Sequence, residues 1–167
     1  MKTITVKAAL LFVSLFVILS AVSCGGTAKF SVENVSVCGM RIGDPTDSRF
    51  ELTGSGEKAY KIAGSSATYA IDSDGDEIID TLRVLFKEGE PELMIGKKAM
   101  KSLDDFYDVL GEPFIDKETT MQVGDEKSCY AEYIDKEEMI SMTVYYYVSV
   151  ADDSKRISDV LITVIKT

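Results

Sequence analysis

Ser102-Leu103-Asp104-Asp105-Phe106-Tyr107-Asp108-Val109-Leu110-Gly111-Glu112-Pro113 is the stretch whose reading decides the fold. Ser102 is a good N-cap, and Asp105 stands three positions on, the spacing of a capping box. Leu103, Phe106, Val109 and Leu110 form one apolar stripe at helical spacing. Gly111 and Pro113 end the helix. Downstream the period changes from helical to two. Ser128 to Ile134, Ile140 to Val150 and Ile157 to Ile165 read as strands, with Asp152-Asp153-Ser154-Lys155 as the last turn. A helix followed by a three-stranded meander is the unit that results.

Upstream the same unit is expected again. Phe30, Val32, Val35 and Val37 alternate as a short strand or two. Asp44 is a candidate N-cap with Pro45 at the first helical position and Asp47 three residues after the cap. Phe50 and Leu52 supply its apolar contribution, and Gly54 stops it. Strands follow at Ala59 to Ala63, at Ala67 to Ile71, and from Ile78 to Phe86. Lys87 to Glu92 is a polar break, and Leu93 to Ile95 a short strand.

The two halves correspond in pieces. Ile42-Gly43 matches Ile95-Gly96, Phe50 with Gly54 matches Phe106 with Gly111, and Tyr60 matches Tyr130. Ile78-Ile79-Asp80-Thr81-Leu82 matches Ile157-Ser158-Asp159-Val160-Leu161 most sharply. The expected organisation is a signal over residues 1–23, a tether over 24–29, a first repeat over 30–90 and a second over 91–167. The expected fold class is α+β: tandem helix-plus-antiparallel-meander repeats, with helices packed on one face of the sheet. Phe50, Phe106, Leu110, Ile78, Leu82 and Leu161 are the expected core.

Two copies of such a unit, with their Ile-Gly steps and Leu110-Gly111-Glu112-Pro113, resemble the tandem fold of β-lactamase-inhibitor protein. Leu110 to Pro113 is also similar to the small lipoproteins of the outer-membrane assembly machinery. The resemblance covers residues 35–167 and implies architecture, not function. That inhibitor family carries disulfides in each repeat, and this chain lacks the cysteines to reproduce them.

Met1 to Cys24 gives an address. Lys2 and Lys7 form a basic n-region, and Ala8 to Val22 carries no charge. Ala21-Val22-Ser23-Cys24 resembles the lipobox of bacterial lipoprotein signals, although Ala21 stands where a large aliphatic residue is usual. The resemblance implies lipidation of Cys24 and a membrane anchor on the extracytoplasmic face. Gly25 follows the cysteine in place of Asp, which implies the outer membrane in a cell that has two. Two other readings stay open: ordinary secretory cleavage after Ser23, and an uncleaved apolar anchor.

The 167-residue chain has 18 basic and 28 acidic side chains. Lys2 and Lys7 leave with the signal, so the mature chain carries 16 against 28, net −12. Nucleic acid is a poor partner for such a surface, since phosphates need a basic face. Cations, basic peptides and basic protein faces fit better. No histidine is present. That excludes Ser-His and Cys-His nucleophilic systems. A non-catalytic binding domain for a protein, peptide or envelope component is the expected function. Cys38 and Cys129 are left as a bridge or as two buried thiols.

Asp72, Asp74, Asp76 and Asp80 occupy positions 1, 3, 5 and 9 of a loop, the oxygen spacing that Ca²⁺ takes. Glu77 stands at the sixth position, where glycine is wanted, and Arg83 at the twelfth, where a bidentate glutamate belongs. Asp74-Gly75 also reads as the tip of a plain hairpin. A calcium-dependent structural or adhesion module is therefore the alternative function. Tyr145, Tyr146 and Tyr147 are the candidate binding surface. Alternation puts Tyr145 and Tyr147 on one face and Tyr146 on the other.

Overall fold

The computed structural model describes residues 30–31, 33–52, 58–62, 67–86 and 93–165. Eleven strands and one helix lie among them: β1 Val35–Val37, β2 Phe50–Leu52, β3 Lys58–Ile62, β4 Thr68–Asp72, β5 Thr81–Leu85, β6 Leu93–Ile95, β7 Lys98–Ala99, α1 Leu103–Leu110, β8 Ile115–Val123, β9 Glu126–Asp135, β10 Ile140–Ser149 and β11 Lys155–Val164. The fold is β-rich, and this corrects the α+β expectation of repeated helices packed on a sheet.

The helix that forms is the one with a complete set of signals. Ser102 Oγ accepts from the Asp105 backbone N–H at 3.3 Å, and Asp105 Oδ2 accepts from the Ser102 N–H at 2.9 Å. This is a closed capping box. Leu103, Phe106 and Leu110 are buried beneath it.

The expected first-half helix does not form. Phe50 and Leu52 are spaced two apart, which is a strand's period, and there is no i, i+3, i+4 stripe to bury. The segment is held from outside instead. Gly43 donates to Ile79 O at 2.9 Å, Ile79 donates to Asp44 O at 3.0 Å, and Thr46 donates to Glu77 O at 2.8 Å. Asp44 turns its carboxylate back to the Arg41 N–H, so it caps a turn and not a helix. Phe50–Leu52 then pairs with β3.

Eight strands make one antiparallel sheet in the order β2-β3-β4-β5-β11-β10-β9-β8. Two four-stranded meanders meet at β5 and β11, where Leu82 pairs with Ile162 and Val84 with Val160. A small sheet, β1-β6-β7, pairs Val35 with Ile95 across the two halves of the chain. The small sheet and α1 share one core with the large sheet: Phe30, Val37, Leu93 and Phe106 pack with Leu82, Val84, Met142, Val144 and Ile162.

The seam revises the repeat correspondence and the core. Leu82 is fully buried, while Leu161, its partner in the Ile78–Leu82 match, lies half-buried on the opposite face. Of the expected core, Phe106, Leu110 and Leu82 are buried; Phe50, Ile78 and Leu161 are only partly so. Ile79 takes the buried place expected of Ile78, which is half-buried where its backbone bridges to Pro45. Cys38 is exposed and Cys129 buried, both as free thiols.

Strand β8 forms the outer edge of the long meander. It pairs with β9 through Glu118, loses register, and resumes at Gln122.

Candidate functional site

One face of the eight-stranded sheet is the core. The other is open, and alternation decides which side chains it carries. Leu82 and Val84 turn inward on β5, so Arg83 and Leu85 turn outward. Val160 and Ile162 turn inward on β11, so Asp159 and Leu161 turn outward. Val144 and Tyr146 turn inward on β10, which leaves Tyr145 outward beside Tyr130 of β9.

These residues meet around the seam. Arg83 lies across from Leu161, and Tyr145 across from Asp159. The Arg83 Nε–Asp159 Oδ1 ion pair spans β5 and β11 at 3.2 Å, with Asp159 much the more covered of the two. Arg83, Tyr145, Asp159 and Leu161 line a cavity of about 250 Å³. The Tyr130 ring stands beside that of Tyr145, centroids 6.4 Å apart. Tyr69 of β4 pairs with Arg83 and continues the half-buried aromatic surface to the far side. Sequence reasoning named Tyr145 here but missed Arg83 and Asp159 as a pair. They stand 76 residues apart, and only the β5–β11 register joins them.

The tyrosine triplet divides as alternation requires. Tyr145 and Tyr147 are half-buried on the open face, and the Arg156 guanidinium lies 4.9 Å from the centroid of the Tyr147 ring. Tyr146 faces the core side at 4% exposure, so it does not belong to the open face that carries Tyr145 and Tyr147. Its hydroxyl donates to Asp116 Oδ1 at 2.6 Å.

The acidic loop joins β4 to β5 as a hairpin, but residues 73–80 form it rather than a two-residue Asp74-Gly75 tip. Asp72 is 2% exposed, and its carboxylate accepts from the Gly75 N–H at 2.6 Å and the Glu77 N–H at 3.0 Å. Asp80 Oδ2 accepts from the Ser73 N–H at 2.8 Å. Asp76 Oδ1 accepts from the Ile78 N–H at 2.9 Å. Oxygens of Asp72, Asp74 and Asp80 lie within 4.8 Å of one another, and Asp76 is outside that group. Glu77 adopts φ +68° at the position where a calcium loop uses glycine. The twelfth position brings no ligand, since Arg83 belongs to the open face and its ion pair with Asp159.

No family model, curated protein or solved structure matches the chain. Among the described residues no helix is long and apolar enough to cross a membrane. Residues 1–29, with the expected signal and Cys24, lie outside the described residues.

Proposed function

We propose that this chain is a lipid-anchored, non-catalytic binding module on the extracytoplasmic face of a bacterial membrane, and that it engages a protein partner through the open face of its large sheet. The observation that carries the reading is the cavity between Arg83, Tyr145, Asp159 and Leu161, flanked by half-buried Tyr130 and Tyr69. Tyrosine and arginine around a small central depression are what the energetic centre of an interface uses. The net charge of −12 on the mature chain favours a basic partner surface and steers its approach. The absence of histidine and the engagement of Asp159 by Arg83 both count against acid–base chemistry at this face.

The test is a side-by-side capture from the native envelope with the mature domain and its Leu161→Asp variant, each first checked for cooperative melting. A partner held by the parent and lost with Leu161→Asp supports the reading. An identical set of captured proteins for both overturns it.

The calcium-module reading competes through one observation, the convergence of Asp72, Asp74 and Asp80. Calcium takes six to eight oxygens, and the missing twelfth ligand leaves this loop short. A calorimetric titration of the mature domain separates the two. Affinity of about 10⁻⁴–10⁻³ M, or none, is expected. Micromolar binding abolished by Asp74→Asn would put the calcium module first.

A further inference from the structure

At the opposite face of the large sheet, α1 packs over the strands. Tyr107 of α1 and Tyr146 of β10 meet there. Their hydroxyls donate to the two oxygens of one carboxylate, Tyr107 to Asp116 Oδ2 at 2.7 Å and Tyr146 to Asp116 Oδ1 at 2.6 Å. Asp116 is on the edge strand β8, two strands from Tyr146. Ala131 pairs with Asp116 on the strand between and is small enough to let the Tyr146 ring lean across. Donation to a carboxylate enriches the phenol ring in electron density. Burial, and then the Asp116 charge, keep both phenols protonated well above the ordinary tyrosine range.

A cation already lies on these rings. Lys155 opens β11 opposite Val148, and its Nζ sits 5.9 Å from the Tyr107 centroid and 5.9 Å from the Tyr146 centroid. Lys155, like several other basic side chains, is absent from the ion pairs of the described residues, and the contacts that locate its ammonium are these two rings. At that distance the ammonium is within the reach of a cation–π contact to both rings. Lys155 and Asp116 are exposed and Tyr107 is half-buried, so the group is approached from their side, with Tyr146 as its buried floor.

We propose that the cluster of Tyr107, Tyr146 and Asp116 is a recognition site for the primary ammonium of a lysine side chain on a partner, and that Lys155 fills it as an internal stand-in. Two fixed electron-rich rings backed by a carboxylate are the chemistry that binds alkylammonium. The acidic mature chain gathers cations around it. The tethered Lys155 competes at high effective concentration, so an incoming lysine must displace it. The site lies on the other face from the Arg83–Asp159 cavity and stands or falls independently of it.

Titration of the mature domain with n-butylammonium, followed through the ring protons of Tyr107 and Tyr146 by NMR, tests this. Lys155→Ala is a surface change and is expected to bind about tenfold more tightly than the parent chain, equivalent to about 1.4 kcal/mol. Adding Tyr107→Leu to Lys155→Ala should abolish the response. A folded Lys155→Ala domain whose Tyr107 and Tyr146 signals move no more with butylammonium than with matched KCl overturns the site. Tighter binding of tetramethylammonium than of butylammonium overturns the lysine assignment in favour of a quaternary headgroup.

Discussion

Tyr133 is the largest fully buried side chain in the core, and its hydroxyl has no hydrogen-bond partner among the described residues. A phenol in that position loses water and gains nothing in return. Burial, and then the nearby Asp116 and Glu112 charges, push its ionisation well above the ordinary range. Removing the oxygen should cost little. Tyr133→Phe is expected to leave stability unchanged or raise it by about 1 kcal/mol, since an orphaned buried group carries a penalty of about that size. Chemical denaturation checks this, and a loss larger than about 1 kcal/mol would reveal a bound water or side chain satisfying the hydroxyl. Nothing in the sequence distinguishes Tyr133 from Tyr130. Alternation separates their faces, but which face is core is set by strands far away. The division of Tyr145 and Tyr147 from Tyr146 was legible for the same reason that its outcome was not: a period of two assigns residues to sides without saying which side is covered.

The one helix among the described residues was legible because its signals are local and complete. Ser102, Asp105, Leu103, Phe106 and Leu110 all act within three turns, and each does what its spacing predicts. Asp44 and Pro45 offered a cap with no stripe behind it, and Ile79 and Glu77 claimed the segment through backbone bonds that no local pattern announces. Ser102→Ala should cost about 0.5–2 kcal/mol, and Leu110→Ala about 2–5 kcal/mol, in denaturation midpoints converted at constant slope. The cap also carries a pH signature. Burial raises the Asp105 carboxyl, but the Lys101 and Ser102 N–H groups and the Lys98 ammonium at 3.0 Å reverse this and hold it well below the usual range. The carboxyl is lower in the folded chain than in the unfolded one. Its contribution is therefore complete above about pH 4 and fades as pH falls further. An Asp105→Asn variant should show a shallower loss of stability than the parent on acidification below that point; parallel curves would remove the carboxylate from the account.

Among the described residues an eight-stranded sheet is backed by α1 and a small sheet, and its central seam joins β5 to β11. That pairing brings residue 83 against 161, and a contact of that separation leaves no trace in any window of the sequence. The Ile78–Leu82 and Ile157–Leu161 likeness pointed to the right two strands but to opposite faces of them. At this scale the proposed anchor makes its own prediction: Cys24→Ala should block lipid processing and leave a larger precursor in cells. Intact-mass detection of an unmodified cysteine at the mature N-terminus would remove the anchor. Tethered chains share a surface, and confinement to a surface raises the rate at which neighbours collide. The outer strand β8 is nine residues long and mostly exposed, with Met121 at 66% and Val123 at 50%. A straight strand of that kind would template its neighbour. Here Lys117 is exposed near its start, Asp116 and Glu118 are aimed at the core side, and the ladder breaks between Glu118 and Gln122. Such interruptions work against edge-to-edge pairing of neighbouring copies, the hazard that a shared membrane surface would sharpen for a chain anchored as proposed.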